Sequence, residues 1–168
     1  GVEQAANVCG IYGLMNEFTA YCWGSITNVS LYEYFLDRPF SEENWLKYVM
    51  MSSGDYFAYS EFKYYILSYL IYAKENYPEI YAETMDNQAL RDAFRIVEAR
   101  YRATVEQYFA NLDRLEDYLK ENGVAARHTD NSFYIGMRGC GTFETTYRML
   151  ENAMQAPEYV EMYNLMTK

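Results

Sequence analysis

Histidine is nearly absent from this chain: His128 is the only one in 168 residues. A single histidine excludes every site that needs two, including the H-E-x-x-H zinc motif and multi-histidine metal cages. The sequence also lacks the glycine-rich phosphate loop, the dinucleotide fingerprint and the G-x-S-x-G serine motif. We therefore predict no metal, no cofactor and no catalytic residue, and the residues point to no known family.

Basic residues are scarce as well. The chain has 14 Lys and Arg against 24 Asp and Glu, for a net charge of −10, and an isoelectric point near 4.6. A protein that binds a phosphate backbone needs a basic surface, so nucleic acid is not an expected partner. No run reaches the roughly 18 uncharged apolar residues of a transmembrane helix, so no membrane span is expected.

Cysteine is limited to Cys9, Cys22 and Cys140. The first two fall in one predicted helix and are separated by about 20 Å along its axis, which is too far for a disulfide. The sequence therefore leaves open only a disulfide between Cys140 and either Cys9 or Cys22. The chain begins with Gly rather than Met. This favours a periplasmic or secreted protein whose signal peptide has been removed, with truncation of a longer chain as the alternative.

Most of the chain has the hydrophobic pattern of α-helices, because apolar residues recur at intervals of three or four. We predict an all-α fold, a single helical domain over residues 1–168, built as a mostly antiparallel bundle of about five or six helices. The first helix is so long that either the bundle is elongated or the helix breaks, most readily between Gly24 and Asn28. A turn is expected at 52–55. The predicted helices span 8–36, 41–51, 56–76, 78–85, 87–122, 142–155 and 157–166.

Residues 124–141 have no helical period and are predicted to form one long irregular loop, with a short extended piece at 133–135. Glycines at its end and a helix predicted to start at Thr142 favour a backbone nest that holds a carboxylate, sulfate or phosphate. Arg138 and His128 would add positive charge, and the helix start would lower the pKa of Cys140. The alternative is a structural turn that packs Cys140 against the first helix.

The most unusual feature is the count of 20 tyrosines, eight of which lie between residues 56 and 81. Three of these share a helix face at i, i+4 and i+7. Because a buried tyrosine hydroxyl needs a hydrogen-bond partner, repeated tyrosine favours a wet cleft or a partner surface. The alternative is a core of rings whose hydroxyls reach the surface or bond one another across helices. The predicted ligand-binding residues are Trp23, Tyr65, Tyr69, Tyr72, His128 and Arg138.

These patterns predict a non-catalytic acidic binding module, with a tyrosine-rich cleft or surface for a small polar, sugar-like ligand or a protein partner. One alternative is an acidic inhibitor or immunity-type protein that caps a basic partner, because acids outnumber bases seven to two in residues 1–60. A second is a small hydrolase that uses a buried glutamate, with Glu17, Glu33 and Glu61 as candidates. Two carboxylates about 5–10 Å apart in a pocket would favour the hydrolase.

A homodimer is a further expectation. The segment 8–36 contains only two acids and no base, so little of this helix is suited to contact with water. Its small residues Gly10, Gly13 and Gly24 would allow close packing against a second copy of the same helix.

Overall fold

The structure, a computed structural model, describes residues 9–168, and the predicted helix start at Val8 lies outside the described residues. Within them the chain forms six helices and a three-stranded antiparallel sheet. The predicted helical bundle is confirmed, and the sheet is an addition to it. None of these helices is both long and apolar enough to cross a membrane. The elements are α1 (Ile11–Leu36), α2 (Glu42–Asn76), α3 (Pro78–Asp86), α4 (Gln88–Glu121), β1 (Ala126–Thr129), β2 (Ser132–Ile135), β3 (Arg138–Gly141), α5 (Glu144–Ala153) and α6 (Pro157–Thr167).

Helix α1 is continuous over 26 residues, so the structure has the unbroken helix of the two predicted alternatives, and there is no break between Gly24 and Asn28. A glycine costs a helix about 1 kcal/mol relative to alanine, and contacts with other helices offset that cost here. Asn28 donates a hydrogen bond to the carboxylate of Asp55 in α2 at 2.7 Å. The hydroxyl of Ser25 lies 3.1 Å from that of Tyr101 in α4. The unbroken helix is about 39 Å long, which makes the bundle elongated.

Helix α2 begins after Ser41, whose hydroxyl accepts a hydrogen bond from the backbone N–H of Asn44 at 3.3 Å. The turn predicted at 52–55 is wrong, because one helix of 35 residues replaces the two expected. Ser53 donates to a carbonyl of the preceding turn at 3.1 Å. The carbonyl of Asp55 accepts a hydrogen bond from the Tyr101 hydroxyl at 2.6 Å. These contacts outweigh the local turn propensity of the Ser-Ser-Gly-Asp run.

Helices α3 and α4 follow the predicted ranges closely. Pro78 occupies the first turn of α3, where its missing N–H has no consequence. The side chain of Asn87 caps α4 by accepting a hydrogen bond from the Leu90 N–H at 3.1 Å. Gly123 follows the end of α4 with a φ of 76°, a left-handed conformation that favours glycine. Local signals at both ends of α4 therefore define its length.

The segment predicted as an irregular loop, 124–141, folds as the meander β1–β2–β3, so that prediction is wrong apart from the extended piece at 133–135. The register pairs Phe133 with His128 on one side and with Cys140 on the other. Phe133 and Ile135 are fully buried, and the sheet lies against α2 and α4. Tyr134 covers the neighbouring strand on the outer face. The hairpins thus add a small second layer to the bundle.

Helix α5 begins at Glu144, and Thr142 does not cap it, contrary to prediction. Phe143 precedes the helix with a left-handed φ of 55°, and Thr142 is buried. Pro157 opens α6. Both helices contact α2, and α6 also contacts α4. Helix α2 therefore has α1, α5 and α6 around it and forms the centre of the bundle.

Tyrosine makes up much of the core. Tyr48, Tyr59 and Tyr101 are at most 1% exposed. Asn111 donates a hydrogen bond to the Tyr48 hydroxyl at 2.9 Å, and Tyr59 donates to Glu98 at 2.9 Å. Tyr101 bonds to α2 as described above. These three residues fit the alternative of a tyrosine-rich core, because each hydroxyl has a hydrogen-bond partner on another helix.

All three cysteines are free thiols. Cys22 is buried in α1, with its Sγ 3.9 Å from the carbonyl oxygen of Val97 in α4. Cys140 lies in the sheet, with its Sγ 3.8 Å from the carbonyl oxygen of Phe133. The pairing of Cys140 with Cys9 or Cys22, left open by the sequence, is therefore not formed.

Candidate functional site

The structure places the six predicted ligand-binding residues in three separate regions. The three tyrosines lie together on α2, Trp23 lies on α1, and His128 and Arg138 lie in the sheet. The guanidinium of Arg100 in α4 covers the Trp23 indole, 5.4 Å from its ring centroid. Trp23 is turned about 200° around α1 from Tyr21, whose ring packs on Phe62 of α2. Trp23 therefore does not belong to the same surface.

Several exposed tyrosines lie on α1, on α2 and at the C-terminal end of α2. The ring of Tyr21 in α1 packs on Phe62 of α2 with centroids 5.0 Å apart. Tyr72 and Tyr77 are in similar contact at 6.0 Å. The exposed fractions in this group range from 36% to 56%, which is high for large rings. We call this group the tyrosine surface; its members are Tyr21, Tyr65, Tyr69, Tyr72 and Tyr77.

Acidic groups border the tyrosine surface. The Tyr65 hydroxyl donates a hydrogen bond to the carboxylate of Glu61 at 3.2 Å. The negative charge of Glu61 raises the pKa of Tyr65. Glu17 precedes Tyr21 by one helical turn and is its neighbour on α1. The rings therefore lie in a negatively charged setting.

The glutamates predicted as buried candidates are not buried. Glu33 is exposed, and Glu17 and Glu61 are half-buried. The structure instead buries Glu98 and Glu144, which are 2% and 3% exposed. Glu98 precedes Arg102 by four residues, a spacing typical of an exposed helical ion pair, so local sequence gave the wrong indication. Inside the bundle Glu98 accepts a hydrogen bond from Tyr59 and lies near the ammonium of Lys63, both on α2.

Glu98 belongs to a cluster of charges between α2, α4 and α5. Its Oε1 accepts the hydrogen bond of Tyr59 and lies 4.0 Å from the Nζ of Lys63. Arg102 Nε lies 3.7 Å from the same oxygen. Lys63 Nζ donates to the Tyr59 hydroxyl and to Glu151 Oε2, both at 3.2 Å. Burial, reinforced by the charge of Glu98, raises the pKa of Tyr59 far above its usual value, so Tyr59 serves as a neutral donor.

Two carboxylates, those of Glu98 and Glu151, thus line one cavity of about 320 Å³. Such a pair was expected of a hydrolase. Oxygens of both glutamates lie within 4.0 Å of the Lys63 ammonium. The hydrolase alternative stays a prediction.

The other buried glutamate, Glu144, lies where the sheet meets α5. It is hydrogen-bonded to Nε2 of His128 and accepts a hydrogen bond from Arg148 at 3.2 Å. The backbone N–H of His128 donates to Glu116 at 3.1 Å. The hydrogen bond to Glu144 raises the pKa of His128, against the opposing effect of burial. His128 is thereby held as a partner of Glu144, beside a cavity of about 310 Å³.

The backbone nest predicted at 136–142 is not formed. The last two glycines of the segment belong to β3, and the carboxylate of Glu144 already lies in the first turn of α5. Arg138 lies near the start of α2. There it contributes, after Lys47, to lowering the pKa of Glu43. Arg138 and His128 are therefore at different places in the sheet, and a ligand role for either residue stays a prediction.

Cys140 does not have the environment of a reactive thiol. Burial raises its pKa, opposite to the direction predicted from a helix start. Phe133 of β2 lies between Cys140 and His128 in the register of the sheet. The ring of His128 bonds to Glu144 instead. The two residues therefore do not form a nucleophile–base pair.

A groove of about 480 Å³ runs between α1 and α4. Its charged residues are already paired, since Arg114 donates to Glu33 at 3.1 Å. Arg114 also lies over the ring of Tyr32, 4.7 Å from the centroid. These contacts occupy the donors that a ligand would use. The groove is therefore better explained as the seam between two helices.

Of the three glycines expected to favour a homodimer, one is open. A Cβ on Gly10 would lie 2.9 Å from the hydroxyl of Tyr69, so that position already packs within the chain. Gly13 is buried. Gly24 has nothing within 4 Å of its Cβ position and is the part of the stripe that a second copy can approach. The homodimer stays a prediction.

Neither protein-family models, nor curated proteins, nor solved structures compared with this chain give a match. Within residues 9–168, no three His, Cys, Asp or Glu side chains are grouped so as to hold a metal ion. The tyrosine surface and the buried charges are the features that carry functional information.

Proposed function

We propose that this protein is a non-catalytic binding module that docks a basic, partly apolar segment of a partner protein on the tyrosine surface. The observation that carries the proposal is the exposure of Tyr65, Tyr69 and Tyr72, at 46%, 36% and 56%, along one side of α2. Tyrosine is enriched at protein interfaces, where its ring supplies apolar area and its hydroxyl adapts to a polar partner. Contiguous exposed apolar patches on soluble proteins mark such interfaces.

The shape of the surface favours a protein partner over a small sugar-like ligand. Small-molecule sites are concave and enclose most of their ligand. The tyrosine surface lies on the outer side of two packed helices, and the cavities described above are lined by other residues. Gly54 on α2 and Gly24 on α1 have open space around them. A partner helix can therefore approach the backbones of α1 and α2 closely at these two positions, next to the end of the tyrosine surface formed by Tyr21.

Charge favours a basic partner. Helix α1 contains no lysine or arginine. The two lysines in the C-terminal half of α2 are engaged elsewhere, since Lys63 pairs with Glu151 and Lys74 pairs with Glu161. Acids therefore border the tyrosine surface without neighbouring bases. Complementary charge on a partner would speed association and select against acidic competitors.

The proposal is tested with a synthetic amphipathic peptide of about 18 residues, with Lys on one face and Leu and Trp on the other. Fluorescence anisotropy should show saturable binding that weakens as salt rises. Replacing Tyr65 or Tyr72 with Ser should weaken binding by about tenfold or more, as expected of central aromatic contacts. Tyr34→Ser is the matched control, because Tyr34 is 47% exposed but lies outside the tyrosine surface.

Three outcomes would contradict the proposal. The first is equal binding of the same peptide with Glu in place of Lys. The second is an equal effect of Tyr34→Ser and Tyr72→Ser. The third is a dimer in sedimentation that Tyr72→Ser dissociates, which would make a second copy of this chain the occupant.

A further inference from the structure

The exposed side of α2 continues beyond the tyrosine surface toward the start of the helix. Met50 is 58% exposed, and Gly54 is exposed as well. Met50 precedes Tyr72 by 22 residues and Gly54 precedes Tyr65 by 11. Because 11 residues make almost three whole turns, these positions lie on one side of the helix, over a length of about 33 Å. We call this side the α2 strip; its members are Met50, Gly54, Glu61, Tyr65 and Tyr72.

Neighbouring helices contact α2 on both sides of the α2 strip. On one side, Phe62 packs on Tyr21 of α1 with ring centroids 5.0 Å apart. On the other side, Tyr64 stacks on Tyr159 of α6 with centroids 5.4 Å apart. The strip between these contacts faces outward. A long and narrow exposed face of this kind fits a partner segment that is itself long and narrow.

Gly54 is the member of the strip that packing within the chain does not explain. A glycine inside a helix lowers the stability of the helix relative to alanine. A Cβ at this position would have nothing within 4 Å among residues 9–168, and the backbone there is helical. Gly139 is different, since a Cβ there would lie 2.8 Å from the ring of Tyr134. What Gly54 supplies is a gap in the surface between Met50 and Phe57, which lie about one turn away on either side.

The surroundings of the gap suit a large apolar side chain. Met50 and Met51 are 58% and 46% exposed, and their unbranched side chains adapt to the shape of a partner. In knobs-into-holes packing, a side chain of one helix enters a gap between residues of the facing helix. A residue of a partner helix would therefore be held at Gly54 by flexible apolar side chains.

The length of the strip favours a helix over an extended segment. Gly54 and Tyr72 are about 27 Å apart along α2, which corresponds to about 18 residues of a second helix. The surface of a helix offers side chains rather than free backbone groups, so an extended segment lying on the strip would leave its own N–H and C=O groups without partners. A helix satisfies these groups internally.

The charge in the middle of the strip defines what the partner helix carries there. Glu61 is half-buried and accepts a hydrogen bond from Tyr65 at 3.2 Å. The strip itself contains no lysine or arginine. A lysine or arginine on the facing helix would supply a second donor to this carboxylate, and the contact between opposite charges would select a basic partner.

We propose that the partner segment is a single amphipathic α-helix of about 18 residues or more, which lies along the α2 strip. A large apolar side chain occupies the gap at Gly54, and apolar side chains about three and five turns further along contact Tyr65 and Tyr72. A lysine or arginine between them pairs with Glu61. This inference rests on the proposed function, because Tyr65 and Tyr72 belong both to the strip and to the tyrosine surface. It identifies the partner segment as a helix and extends its contacts by about four turns toward the start of α2.

Binding of a synthetic peptide of about 22 residues, with Lys on one helix face and Leu on the other, tests the proposal by fluorescence anisotropy. The variant is Gly54→Gln, which fills the gap with a neutral side chain and leaves the tyrosines unchanged. Affinity should fall by about tenfold or more. The melting temperature should stay equal or rise, because glutamine favours a helix more than glycine does. Ala99→Gln, at an exposed position of α4, is the matched control, and equal affinities of the two variants would overturn the proposal.

Cross-links show where the peptide lies on α2. Peptides that carry a benzophenone group at one end or at the other are irradiated with the protein, and the labelled residues are identified by mass spectrometry. Labels should occur near Met50 and near Tyr72, the two ends of the strip. Labels confined to the neighbourhood of Tyr72 would overturn the proposal, because the helix would then cross α2 rather than follow it.

Comparison with Tyr72→Ser separates this proposal from the proposed function. If Tyr72→Ser weakens binding and Gly54→Gln does not, the tyrosine surface docks a partner but the partner helix does not extend along the strip, and this inference alone is overturned. If the parent protein does not bind the peptide, both are overturned. A dimer in sedimentation that Gly54→Gln dissociates would assign the strip to a second copy of this chain and would also overturn the proposal.

Discussion

Tyrosines in the interior of the bundle and tyrosines on the tyrosine surface differ in what their hydroxyls contact. Tyr59 and Tyr101 are at most 1% exposed and bond to side chains and backbone of other helices. Tyr72 is 56% exposed, and its ring contacts that of Tyr77 at the end of the same helix. The comparison teaches that one residue type has two uses in this chain. Tyr59 and Tyr101 connect helices in the interior, whereas Tyr72 exposes its ring at the surface.

The largest expected effect is the loss of stability when the buried carboxylate of Glu98, which accepts a hydrogen bond from Tyr59, is removed. Glu98→Ala removes a carboxylate that is 2% exposed and leaves Lys63 buried with one acidic partner fewer. Removing one member of a buried ion pair costs about 3–5 kcal/mol of unfolding free energy. Urea unfolding followed by circular dichroism measures the loss. Glu106→Ala, at an exposed position of the same helix, should change stability by less than about 0.5 kcal/mol, and equal losses would remove the distinction between interior and surface.

The hydrogen bond between His128 and Glu144 should make the stability of the protein depend on pH. Because the pKa of His128 in the folded chain is raised above its usual value of 6.5, folding favours its protonated form. That stabilisation is fully present below pH 6.5 and is lost as the pH rises through the raised pKa.

His128→Gln provides the control for this prediction. Since the chain has one histidine, the variant should abolish the decline in stability between neutral and mildly alkaline pH. The measurement is the urea concentration at the midpoint of unfolding, determined for both proteins across that pH range. A decline that persists in the variant would show that another group is responsible.

The smallest expected effect compares two tyrosines directly. Tyr101→Phe removes a buried hydroxyl that bonds to the carbonyl of Asp55 and lies beside Ser25. The cost should be about 1–2 kcal/mol. Tyr72→Phe should stay within about 0.5 kcal/mol of the parent protein, because its hydroxyl faces water. Thermal unfolding of the two variants in parallel tests this prediction. Equal decreases in their melting temperatures would contradict it.

Most helices could be predicted because their signals are local. Asn87 and Gly123 mark the two ends of α4, Ser41 caps α2 and Pro78 opens α3. The turn at 52–55 was wrong because contacts made by Tyr101 with a distant part of the chain outweigh local propensity. The sheet was missed because each strand has four residues, too few for alternation to stand out.

The candidate sites could be predicted only in part. The spacing of Tyr65, Tyr69 and Tyr72 placed them on one helix face, and their exposure follows from which face α2 buries. The cluster around Lys63 joins side chains from three helices, and no spacing along the chain reveals it. Glu98 is the clearest example, since its neighbours in sequence suggest an exposed position.

The continuity of α2 limits how the chain can change in length. A residue inserted near Gly54 would rotate the following half of the helix by about 100° and advance it by about 1.5 Å. Ile66 and Leu70, which are fully buried, would then leave the core. Because α1, α5, α6 and the sheet all contact α2, no neighbouring element could compensate by a local shift. Insertions and deletions should therefore be confined to the short connections between helices.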